Sequence, residues 1–340
     1  MTASALRAGL RTRLEVAPEV AAAITAGRPV VALESTLISH GLPWPENAAV
    51  ARASEAAVRE GGAVPATIAV HDGRILVGLD DAALERLASA PPGSVRKVSR
   101  HSLGAALAAG GWGATTVSTT MLAAHAAGIR VLATGGIGGV HRGALGSDGR
   151  PPTYDISTDL EELAATPLAV VCAGPKAILD VPATLEYLET RGVPVMAVGQ
   201  DDLPGFYARS SGIRAPIRVA DLAEAASVAA AHLALGLGSS VLVCVPVPAA
   251  EALPDDVAQA AVAQAVSEAD AARVAGPELT PWLLARVAAL TGGRSVRANQ
   301  ALIVNDARIA GRLAALLAAP LAAAEDRGAV SVPGAATRGT

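Results

Sequence analysis

The chain of 340 residues has only two cysteines, Cys172 and Cys244, and both lie inside apolar runs. They read as buried strand thiols more readily than as a disulfide. Nowhere does the sequence offer the unbroken apolar stretch of about 18 residues that a membrane span requires. The N-terminal MTASALRAGLRTRLEVAPEV has no apolar core of signal-peptide length, so the expected location is the cytoplasm. Excess positive charge is missing as well. A formal net charge of -4 and a sequence pI near 5.9 argue against an extended nucleic-acid polymer as partner, although a small anion pocket needs only a few local donors. Neither a GxxxxGK[ST] triphosphate loop nor a GxGxxG dinucleotide unit is present, and TGGIGG (134–139) fits neither, so ATP and NAD are not supported. Lysine is scarce beside arginine, a habit of composition of the same kind as the abundance of alanine.

What is present is a hydrophobic fraction of 51%, enough for a large core, arranged as alternating helical and strand patterns. PVVAL, VLATG and LAVVCAG read as short buried strands whose ends feed loops. VPATIAVHDGRILVGL reads as a hairpin turning at Asp72-Gly73, which makes the sheet mixed. EVAPEVAAAITAGRP reads as a helix with Pro18 in its first turn. These patterns predict a layered α/β protein with a single domain over residues 14–315 and loose termini at 1–13 and 321–340.

Val131 to Lys176 carries the strongest local signal: a glycine-dense loop, nearby acids and an isolated lysine between two apolar runs. Loops at strand ends of parallel sheets are where such proteins bind ligands. Lys176 follows a strand and a CAGP turn, where desolvation could lower its pKa and make its amine a base or a Schiff-base nucleophile; it also reads as a surface lysine opening a helix. Glu34 stands at a strand exit, as a functional carboxylate or one bonded to loop backbone. Arg96, Lys97, Arg100 and His101, with the following TTVSTT, suggest an oxyanion or phosphate pocket as an alternative to a solvated basic face. Asp155, Ser157 and Asp159 recur at i, i+2, i+4, a spacing that can present oxygens to one hard cation, while capping of the next helix also explains Asp159. Asn299 and Asn305 interrupt an otherwise apolar helix, and QDDLPGFYARSSGIRAPIRV is a polar segment able to close over a site.

VALESTLISHGLPWPEN, KVSRHSL, GATTVSTTM, ATGGIGGVHRG, YDISTDLEEL, VVCAGPKAILD, LEYLETRGVPV, TPWLLARVAALTGG and SVRANQALIVNDA together resemble the pseudouridine-5'-phosphate glycosidase family, which includes indigoidine-synthase-A-like proteins. The resemblance covers nearly the whole chain. It implies a three-layer αβα sandwich around a mixed, largely parallel sheet, and a homotrimer. The implied activity, of the carbon–oxygen lyase class, is reversible cleavage of the C-glycosidic bond of pseudouridine 5'-phosphate to uracil and ribose 5-phosphate, with one Mn2+ per subunit. The family's proton donor falls on Glu34 and its nucleophile on Lys176, which would form a Schiff base after the ribose ring opens. Its metal-binding aspartate falls on Asp155, and its substrate contacts on Lys97, Val117, Ser157, Thr158 and Asp159. A separate pseudouridine kinase would supply the substrate. A related phosphorylated C-nucleoside enzyme of pigment biosynthesis, and a non-catalytic sugar-phosphate binding protein, are the alternatives. The chain departs from the family pattern at Gly146 to Thr153, where a longer GSDGRPPT could shift the loop at the substrate mouth without moving Asp155.

Overall fold

The computed structural model describes residues 9–146, 151–274, 276 and 279–328. The longer mouth loop expected at Gly146 to Thr153 therefore falls partly outside the described residues, at 147–150. Among the described residues one sheet holds β1 (Leu14–Val16), β2 (Val30–Leu33), β3 (Val64–His71), β4 (Arg74–Val77), β5 (Arg96–Val98), β6 (Trp112–Thr115), β7 (Val131–Ala133), β8 (Ala169–Cys172), β9 (Val195–Val198), β10 (Ile217–Val219) and β11 (Val241–Cys244). They run in the order β1-β4-β3-β2-β7-β8-β11-β9-β10, with β6 on β3 and β5 on β6. Only the pairings of β3 with β4 and with β6 are antiparallel. The mixed, largely parallel sheet is thus as expected, and the Asp72-Gly73 hairpin is present with positive φ at both turn residues.

The central strands β2, β7, β8 and β11 are buried at every position. Being covered on both faces, they read in sequence as continuous apolar runs and not as alternation. On one face Ala123, Leu160 and Leu188 come from helices Val117–Ala127, Thr158–Leu163 and Val181–Thr190. On the other, Ala57, Ala225 and Leu313 come from Glu46–Glu60, Leu222–Ala234 and Arg294–Gly328. The result is three layers. A helical pair, Asp255–Ala271 and Leu279–Leu290, packs with Phe206 and Tyr207 beyond the strand ends.

Several local readings change. Leu14–Val16 is a strand beside β4, so the helix predicted over this region starts only at Pro18. Residues 9–11 are helical, and the last helix runs through Gly328, past the boundary predicted at 321 for a loose tail. Its apolar stripe stays against the sheet to Leu317. β10 arises inside the segment read only as polar cover, because Ile217 and Val219 pair beside β9.

On this last helix, Asp306 is wholly buried, and neither carboxylate oxygen has a well-formed hydrogen bond among the described residues. Burial, reinforced by Cys172, pushes its carboxyl well above the usual range, with the Ala173 N–H opposing. A folded-state pKa above the unfolded one means that the native state binds more protons, so the stability this acid contributes is present at low pH and is lost as pH rises. Asp306→Asn should therefore be more stable than the wild type at alkaline pH and lose that advantage towards pH ~4, changing by up to about 1.4 kcal/mol per pH unit in the titrating window. Urea unfolding across pH checks this, and equal pH slopes for the two proteins would contradict it.

Candidate active site

The site is built where β2, β7 and β8, neighbours in the sheet, end side by side. Leu33 pairs with Ala133, and Ala133 with Val171, so the three strands stop at one level. Glu34 leaves β2, Thr134 leaves β7, and the Cys172 to Lys176 turn leaves β8. The Thr134 hydroxyl donates a hydrogen bond to Glu34 Oε1. Lys176 Nζ donates to the Gly136 carbonyl at 2.6 Å. One two-residue step along the β7 tip therefore connects to both the acid and the amine.

This arrangement explains part of the glycine density. A Cβ on Gly136 would lie 2.5 Å from a Phe206 ring carbon and 3.0 Å from the Gly174 carbonyl. Only glycine lets the tip that receives Lys176 pass beneath the phenylalanine. The polar segment 200–219 thus covers the site through Phe206, the chain's single phenylalanine.

The electrostatics follow from the same packing. Burial pushes the Glu34 carboxyl above the ordinary glutamate range, and Lys176 and the Thr134 hydroxyl oppose the shift. Lys97 on β5 has a lowered pKa, first from partial burial and then from the Lys176 charge, with Glu34 and Asp159 pulling the other way. Glu34, Lys97, Asp159 and Lys176 therefore share one electrostatic neighbourhood. The chain contains just two lysines, Lys97 and Lys176, and the fold brings both to this place.

Asp159 is 5% exposed, and its two oxygens accept from the backbone N–H groups of Ser118 at 3.0 Å and Gly138 at 2.9 Å. It ties the first turn of the helix Val117–Ala127 to the glycine loop. Ser157 is the N-cap of the helix Thr158–Leu163, and its hydroxyl accepts the Asp159 N–H at 3.2 Å. The Thr158 hydroxyl lies 3.2 Å from that of Ser118, which is 3.0 Å from that of Thr116. Val117, the first residue of its helix, is buried. A hydroxyl-lined helix start close to a lysine is a chemical match for a phosphate monoester.

The basic cluster divides. Arg96 donates to the Gly110 carbonyl, Arg100 pairs with the buried Glu162 at 2.7 Å, and His101 meets the Ser99 hydroxyl, which leaves Lys97 as its member in the site. The three oxygens expected to face one cation also divide, because Asp159 is held by backbone and Ser157 serves as a cap. Among the described residues no three of the His, Cys, Asp and Glu side chains converge as a metal cluster. Asp155 instead stands part-exposed at the loop mouth, with its Oδ2 4.0 Å from Nδ1 of His141. One open carboxylate fits an ion that keeps waters and shares a substrate phosphate. Thr134, the Gly136 carbonyl and His141 were not legible as site members from the sequence.

Comparison with known proteins gives a consistent result. The family model described as indigoidine synthase A like protein matches residues 19–316. A pseudouridine-5'-phosphate glycosidase of Paracoccus denitrificans is 54% identical over 305 residues, covering 90% of this chain and 98% of the relative. One of Solibacter usitatus is 54% identical over 301 residues, covering 88% and 98%. Among solved structures, the prealnumycin C-glycosynthase AlnA in complex with ribulose 5-phosphate superposes with a TM-score of 0.82 at 41% identity, covering 91% of this chain and 98% of that one. An indigoidine synthase A-like protein of Thermotoga maritima gives 0.77 at 32% identity, covering 90% and 96%.

Proposed function

The chain belongs to the indigoidine synthase A-like family, and from that premise we propose that it reversibly cleaves the C-glycosidic bond of pseudouridine 5'-phosphate to uracil and ribose 5-phosphate. The observation that carries the reading is the pairing of a lysine and a protonation-prone glutamate across one strand tip, through Gly136 and Thr134. A carbon–carbon bond between sugar and base has no heteroatom leaving group, so the pair of carboxylates that serves O-glycosides does not suffice. The ribose ring opens as the C1'–O4' bond breaks, O4' leaving as the C4' hydroxyl, and the Lys176 amine bonds to C1'. The C1'–base bond then breaks with its electron pair kept by the base carbon, which Glu34 protonates, while the nitrogen lone pair forms the iminium at C1'; hydrolysis of that iminium frees ribose 5-phosphate and Lys176. The pigment-type alternative is less favoured, since the glycosidases are 54% identical and the C-glycosynthase 41%.

Lys97 and the hydroxyls of Thr116, Ser118 and Thr158 would hold the phosphate, and Asp155 would hold a divalent ion such as Mn2+. Bound there, the ion would supply positive charge to the phosphorylated sugar. We further propose a cytoplasmic homotrimer fed by a kinase that phosphorylates pseudouridine. No helix among the described residues is long and apolar enough to cross a membrane.

The test is release of uracil from pseudouridine 5'-phosphate, with and without manganese; absence of release in both would overturn the reading. In the same assay Lys97→Ala should raise KM for the phosphorylated substrate by about 10- to 100-fold, the size of a charge-assisted hydrogen bond of about 1.5–3 kcal/mol. Unphosphorylated pseudouridine should be affected little, and an equal loss for both compounds would remove the phosphate contact.

A further inference from the structure

Glu34 also lines a cavity of about 10 Å³. Its polar lining comes from Glu34, Ser54, Thr67 and Thr134, and Ile38 and Ile303 are among its apolar walls. A space of about that size with two to four polar partners holds a single water. The hydroxyls around it already have fixed directions. Thr134 donates to Glu34, Ser54 donates to the Val50 carbonyl at 2.8 Å, and Thr67 donates to Glu55 Oε1 at 2.5 Å. Each hydroxyl has used its proton, so towards the cavity each can only accept.

We propose that Glu55 and Thr67, joined to Glu34 through one water in this cavity, form a proton relay that recharges Glu34 between turnovers. This rests on the acid role of Glu34 proposed above. The hydrogen-bond directions run one way, from a protonated Glu34 to the water, from the water to Thr67, and from Thr67 to Glu55. A proton leaving Glu34 breaks its O–H bond as water gains one; water passes a proton to Thr67 Oγ1, which passes its own to Glu55. Recharging runs in the opposite sense once the hydroxyl and the water have turned: Glu55, protonated from solvent, gives its proton to Thr67 Oγ1, Thr67 gives its own to the water, and the water gives one to Glu34, which replaces the proton delivered to the base carbon. Glu55 is suited to the outer end. It is half-buried on the helix Glu46–Glu60, faced by Arg52 and Arg59 of that helix and Asp81 of the next, and burial raises its pKa as burial raises that of Glu34. The charges that face Glu34 are Lys176 and Asp159, with Lys97 near them. With a phosphorylated substrate in the mouth, the cavity would give Glu34 a route to exchange.

The experiment compares Glu55→Gln and Thr67→Val with the wild type, and uses Thr67→Ser to restore the hydroxyl. The expected result is a fall in kcat of about tenfold in both variants with KM unchanged, below the full loss of a direct acid. Thr67→Ser should recover to within about twofold of the wild type. The solvent deuterium proton inventory on kcat should change from several protons to one in both. A kcat within about twofold of the wild type in both, or a loss in Glu55→Gln alone, would overturn the relay. Hydrogen–deuterium exchange at the Glu34 carboxyl, followed in the infrared against Glu34→Gln, reads the same path without turnover; it should slow in Thr67→Val, and an unchanged rate would count against the relay. Absence of uracil release by the wild type would remove the proposed function while leaving this second readout intact.

Discussion

Lys176→Ala should abolish uracil release, with a loss on the order of 10⁵ or more, the scale reached when a covalent nucleophile is removed. The substitution deletes the amine that the proposed reaction bonds to C1', and nothing adjacent can replace it. The other lysine, Lys97, starts from β5, on the branch of the sheet that joins through β6, and would serve the phosphate. Among the described residues one side-chain hydrogen bond is lost, Nζ to the Gly136 carbonyl, at a cost of about 1 kcal/mol. The variant should therefore fold, bind the phosphorylated substrate and fail to turn it over. Borohydride should trap an adduct in the wild type and none in the variant. A chain with two lysines makes the location of that adduct unambiguous by peptide mapping. Retained activity, or an adduct on Lys97, would sink the nucleophile assignment.

The sequence made the participants visible and concealed their neighbours. Glu34 and Lys176 are conspicuous because each is a polar residue just beyond a buried strand. That Thr134 and Gly136 lie between them depends on β7 sitting between β2 and β8, an order that no local pattern encodes. The sheet order also decides that residues 100 positions apart, Glu34 and Thr134, share a hydrogen bond. Scarcity of lysine was the signal available and unused. A chain that writes most of its cations as arginine keeps lysine at Lys97 and Lys176, which the fold places together.

The opposite error concerned charge clusters. Arg96, Lys97, Arg100 and His101 crowd together in sequence, yet a strand followed by a turn sends their side chains to separate partners. Asp155, Ser157 and Asp159 diverge for a related reason. Once a helix begins at Thr158, the two residues nearest its start are drawn to backbone N–H groups, and Asp155 alone stays open. Spacing could not anticipate this, because the donors that capture Asp159 come from Ser118 and Gly138, far along the chain.

Glu34→Gln supplies the complementary result. The side chain keeps its shape and can still meet Thr134, so substrate affinity should hold while kcat falls by about 10²- to 10⁴-fold, the contribution of a positioned acid. The wild type should lose cleavage activity as pH rises through the elevated Glu34 pKa, since the proton that must go to the base carbon is then absent. The residual rate of the Gln variant should lack that limb. Stability should move in the other direction. Burial raises the Glu34 pKa above its unfolded value, so the stabilising contribution of the protonated form is complete at low pH and is lost as pH rises past the folded pKa. A permanently neutral Gln escapes that loss, and the variant should match or exceed the wild type in unfolding midpoint at alkaline pH. A variant both inactive and unstable would make Glu34 a structural carboxylate; one inactive, tight-binding and stable has lost only the proton.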